Sequence, residues 1–69
     1  MATKRVVVSG GGDNLYRISI YGDKYTVSQV DVGVFTNDYN VIGKARSMDD
    51  ALSIIKSHSG KSIIKITDW

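Results

Sequence analysis

Cysteine, proline and glutamate are all absent from these 69 residues, and there is a single histidine. Without cysteine there are no disulfides and no thiolate ligands, which suits a reducing compartment better than the extracellular space. A metal centre needs three or four protein ligands, and one histidine with no cysteine is poor material for it. No long apolar run exists either. The N-terminal MATKRVVVSGGG holds only three consecutive valines, whereas a signal peptide needs about 7–15 apolar residues and a membrane helix about 20. The expectation is a soluble, cytoplasmic chain with no membrane association and no cofactor.

An excess of charge of either sign is also lacking. Nine Lys/Arg stand against seven aspartates, a net charge of +2. Dedicated nucleic-acid binders usually carry a strong basic patch, so this balance permits nucleic acid without arguing for it. A chain this short forms one domain, residues 1–69, and buries only roughly 60% of its unfolded surface. With disulfides and metal excluded, its stability comes from one apolar core or from a partner.

Valine and isoleucine are plentiful, at 16 residues, and β-branched residues suit strands. The first strand reads as Lys4 to Ser9. LYRISIY, residues 15–21, alternates strictly, with Tyr16, Ile18 and Ile20 on one face and Leu15, Arg17, Ser19 and Tyr21 on the other. Gly22-Asp23 is a tight hairpin turn, which sets Ile20 opposite Tyr25 and Ile18 opposite Val27. The apolar parity then changes, from Tyr25 and Val27 to Val30, Val32 and Val34. That predicts a bulge or bend near Ser28-Gln29, with Gly33 marking a kink. Asn37-Asp38 reads as a further turn, and Tyr39 to Ala45 as the returning strand.

RSMDDALSIIKSHSG is the one helix. Ser47 caps it with Asp50 three residues on, Met48, Ala51, Leu52 and Ile55 form its apolar stripe with Ile54 beside them, and Gly60 stops it. A last strand, Ser62 to Thr67, puts Ile64 and Ile66 on one face and Ile63 and Lys65 on the other. The order β-β-β-β-α-β predicts a two-layer α+β domain: a mainly antiparallel sheet of four to five strands with one helix on one face. Nothing in the sequence covers the other face, which carries Leu15, Arg17, Ser19 and Tyr21 opposite Lys24, Thr26 and Ser28.

VVVSGGGDN, residues 6–14, has the outline of a phosphate-binding loop. A dinucleotide fingerprint needs G-x-G-x-x-G leading into a helix, but Leu15 stands in the third glycine position and a strand follows. The loop therefore reads as a connector between strands, one that would let the first strand swing out. A nucleotide site there would show itself by sensitivity at Gly11 and Gly12. Ser57-His58-Ser59 suggests a catalytic triad, yet adjacent helical residues do not face one another. His58 fits better as a cation at the helix C-terminus. With no convergent constellation, the chain is read as non-enzymatic.

The site residues expected are Arg17, Tyr21 and Lys24 on the uncovered face, with Trp69 either folded back onto the sheet or anchoring an interface. Together they point first to a protein partner, engaged through the open face or an edge strand by a small inhibitor or adaptor of the kind phages and mobile elements encode. They point second to nucleic acid on the same face. The strands at Lys4–Ser9 and Ser62–Thr67 offer edges for a homodimer.

Overall fold

The computed structural model of the chain describes residues 2–10, 14–33 and 35–69. Five strands and one helix follow the expected order: β1 (Ala2–Val8), β2 (Leu15–Tyr21), β3 (Lys24–Val32), β4 (Asn37–Ala45), α1 (Met48–Ser59) and β5 (Ile63–Asp68). The strands form one antiparallel sheet in the order β4-β3-β2-β1-β5. Gly22 takes φ +62° in the β2–β3 turn, a conformation glycine adopts at little steric cost. The two-residue turn fixes the register that the alternation predicts, with Ile20 opposite Tyr25 and Ile18 opposite Val27.

α1 begins where Ser47 accepts a hydrogen bond from the Asp50 N–H, and it ends at Gly60, in the left-handed region, whose N–H donates to the Lys56 carbonyl. Asp49 and Asp50 face the positive helix end and Lys56 and His58 the negative one, as the macrodipole favours. The helix lays Ala51 and Ile55 on Val6, Val8, Tyr16, Ile18 and Val27, and these seven residues make the buried core. Met48, Leu52 and Ile54 border it. Gly43 of β4 admits this packing, since a Cβ there would sit 3.2 Å from the Ile54 side chain.

Several expectations need correction. β1 is not an edge: it pairs with β2 on one side and β5 on the other, so it cannot swing out or bind another chain without breaking two ladders. The β2–β3 ladder runs unbroken through Ser28 and Gln29. The bulge lies across from them in β4, where Val27 pairs with Gly43 but Ser28 with Val41, leaving Ile42 extra. Asn37 and Asp38 are not a turn but the first residues of β4. The connection is residues 33–36, in which the Gly33 N–H donates to the Thr36 carbonyl. In β5 a second irregularity sets Ile63 opposite Val8 and against the core, so Ile63 does not share a face with Lys65. Val34, Gly11, Gly12 and Asp13, which the sequence reading used, lie outside the described residues.

The free edges are β4 and β5. Each carries a register irregularity and a lysine, Lys44 and Lys65, two features that discourage edge-to-edge pairing. Among the described residues no helix is long and apolar enough to cross a membrane.

Candidate functional site

The face away from α1 is where the chain departs from a simple two-layer design. Strand alternation and register place Thr3, Arg5 and Val7 of β1 on it, opposite Ser19, Arg17 and Leu15 of β2. β3 adds Lys24, Thr26, Ser28, Val30 and Val32. β4 adds Tyr39, Val41 and Lys44, and β5 adds Lys65 and Thr67. Ser28 is 4% exposed and Val30 2%, so part of this face is closed. The parity change in β3 is thereby explained: Val27 fills the core under the helix, and Val30 is buried on the opposite side.

Four side chains close it. The Arg17 guanidinium lies 4.2 Å from the centre of the Tyr39 ring and 5.7 Å from that of Trp69, and Arg5 lies 5.0 Å from Trp69. The two rings meet edge to face at 6.1 Å between centroids. Trp69 reaches the face because its N–H donates to the Thr3 carbonyl and because Lys4 donates to the Asp68 carboxylate. That ion pair holds the Asp68 carboxyl below its usual range, first through the hydrogen bond and then through the lysine charge. β4 and β5 are opposite edges, about 19 Å apart in a flat sheet at ~4.8 Å per strand. For Tyr39 and Trp69 to touch, the sheet must coil until two of its corners approach over Arg17.

The charged side chains that alternate onto this face are of one sign, although Asp23 borders the groove that Lys24 and Lys44 line. Arg5, Arg17, Lys24, Lys44 and Lys65 are in register on it, five of the nine Lys/Arg in the chain. No aspartate among the described residues is. Asp31 pairs with Asp38, and Asp68 with Lys4, in the opposite alternation, although Asp31 borders a groove formed with Arg5, Val7, Asn14, Leu15, Val30 and Val32. The net charge of +2 thus conceals a strongly cationic surface. Arg5 and Arg17 stand directly opposite each other, and like charges so placed repel. The Arg17 Nε is buried and has no hydrogen-bond partner, so the stacked rings are its main contacts.

The sequence-predicted residues separate into two groups. Arg17 and Trp69 come together, and Trp69 folds back on the sheet with 40% of its surface exposed. Tyr21 and Lys24 face each other at the β2–β3 tip, about 13 Å along the strand from Arg17 at ~3.3 Å per residue. The sequence reading missed Arg5, Tyr39, Lys44 and Lys65. Arg5 and Lys65 alternate with valines and isoleucines that face the helix, which is a usable signal, but nothing local places either next to Arg17.

Elsewhere the chemistry is structural. The Tyr16 hydroxyl and His58 Nδ1 are 2.9 Å apart, with the rings edge to face, so His58 ties the end of α1 to a buried core tyrosine. The described part of the glycine loop is held by the Asn14 amide, which donates to the Gly10 carbonyl, and β2 follows directly with no helix N-terminus aimed at the loop. No cluster of three or more potential metal ligands occurs among the described residues. No family model, curated protein or solved structure matches the chain.

Proposed function

We propose that this chain is a non-enzymatic binding module whose open sheet face docks an anionic macromolecule. The carrying observation is the charge register: every charged side chain that alternates onto this face among the described residues is a cation. The opposed arginines add support. A like-charge pair works against folding, and local rules broken at a stability cost are expected where a surface serves binding.

The test is retention on a sulfated polyanion such as immobilised heparin. Lys24→Glu/Lys44→Glu reverses two charges on the face, and Lys56→Glu/Lys61→Glu reverses two on the helix side. The reading expects the first pair to elute at much lower salt than the second. Equal shifts would mean that only net charge matters, and the face would lose its role.

A second reading, a protein partner, draws on the β3–β4 end of the molecule. Val32, Phe35, Tyr39 and Val41 are exposed there, Phe35 at 96%. Exposed apolar residues clustered beside an edge strand suit a protein interface. On that reading Phe35→Ser/Val41→Ser abolishes capture of the partner and leaves heparin retention unchanged.

A further inference from the structure

We infer that the anionic partner is a single-stranded nucleic acid, threaded across the coiled face between the lysines at its two ends; this rests on the anion-binding reading above. Three features select this ligand. The cations are distributed over all five strands: Lys44 on β4, Lys24 on β3, Arg17 on β2, Arg5 on β1 and Lys65 on β5. A linear array of this kind matches a chain of phosphates better than one isolated anion.

Exposed aromatic rings stand within the array. Tyr21 is 70% exposed, and Tyr39 and Trp69 are each about 40% exposed. Bases stack on such rings without regard to sequence, worth about 1–3 kcal/mol per base.

The shape favours a single strand over a duplex. The molecule measures 32 × 25 × 19 Å, and the Tyr39–Trp69 contact raises two corners of the face. Duplex DNA has a persistence length of about 50 nm and cannot follow a surface that curves on this scale without an elastic cost. A single strand can, with its backbone passing from the Lys24/Lys44 side of the aromatic bridge to the Lys65 side.

The experiment is fluorescence anisotropy of the full chain with a labelled 12-nucleotide oligo-dT, a 12-base-pair duplex, and polyglutamate as competitor, over 50–200 mM salt. Binding in the range of roughly 10⁻⁴–10⁻⁶ M, typical of non-specific sites at physiological salt, is expected for the single strand. Three to five phosphate contacts give a slope of log K against log salt between about −2 and −3.5, at ~0.7 per phosphate. Lys24→Ala/Lys44→Ala should lower that slope by about 1.4, while Lys56→Ala/Lys61→Ala leaves the affinity within twofold. Circular dichroism confirms that each variant is folded.

A duplex bound as tightly as oligo-dT would overturn the single-strand assignment. Displacement by polyglutamate at equal charge would overturn nucleic acid as the ligand while leaving an anion-binding face. Absence of binding to either polymer, with no heparin retention, would remove both.

Discussion

The two faces of this sheet are held by different physics. Under α1, seven of the described residues, from β1, β2, β3 and the helix, are buried, and apolar burial and packing dominate there, with the Tyr16–His58 hydrogen bond beside them. On the other side one valine and one serine of the described residues are buried, beneath two arginines and two aromatic rings that remain partly in solvent. The first face keeps the chain folded. The second gives up stability, by opposing Arg5 to Arg17, and gains a concentrated positive surface. A small domain can divide labour between the faces of one sheet because strand alternation lets each be composed independently.

The largest expected effect lies on the helix side. Ile18 is fully buried, and Ile→Ala in a core costs about 2–5 kcal/mol. A domain of this size holds only roughly 3–10 kcal/mol in total. Ile18→Ala should therefore lower the urea midpoint severely or leave the chain unfolded by circular dichroism. Trp69→Ala should keep a cooperative transition. If both variants lost the same stability, the two faces would be equivalent supports and the contrast would fail.

Next in size is the aromatic closure. Tyr39→Ala and Trp69→Ala should each cost about 1 kcal/mol, since each loses the ring contact together with one cation–π contact for Tyr39 and two for Trp69. Because the rings touch, a double-mutant cycle should show coupling of about 0.5–1.5 kcal/mol. Additive losses would mean that the rings are neighbours without being partners.

A third variant separates folding from binding. Arg5→Thr removes a charge directly opposite Arg17 and inserts a β-branched residue. The unfolding free energy from urea denaturation should stay constant or rise by up to about 0.5 kcal/mol, while heparin retention and oligo-dT affinity fall. A destabilised Arg5→Thr would show that the Arg5–Trp69 contact contributes more than the repulsion removes.

How much of this was legible depended on the range of the signal. Ser47, Asp50 and Gly60 bound α1 within a few residues of one another, and each acts on its own turn. Gly22-Asp23 sets the β2–β3 register for the same local reason. Arg17 was a visible candidate because LYRISIY alternates so cleanly. Arg5 and Tyr39 were not, because their meeting with Arg17 depends on strand order and on the coil of the whole sheet. The parity change at Val30 was visible, but it read as a bulge in β3. In the structure β3 alternates without a break, and Val30 is buried on the face opposite the helix. The charge segregation was hidden for a related reason: it is a sum over five strands, and the net charge of the chain erases it.

The smallest predicted effect is the most local, and it asks what holds Trp69 in place. Lys4 donates to Asp68 and its charge lies alongside, so the Asp68 carboxyl titrates below its ordinary range. A group whose pKa is lowered by folding stabilises the folded form above its unfolded pKa, and that contribution is lost as pH falls through the folded value. The pair is exposed, with Asp68 at 86%, so global stability should hardly respond. Trp69, the next residue and the sole tryptophan, should respond instead. As pH falls below the usual carboxylate range, its emission should shift to the red before the far-UV dichroism changes. Asp68→Asn should show the shifted emission already at neutral pH and lose the low-pH response. If Trp69 emission changes only together with unfolding, the ring is held by Arg5, Arg17 and Tyr39 alone. The open face would then be self-assembled from its own four side chains, with no support from the β5 ion pair.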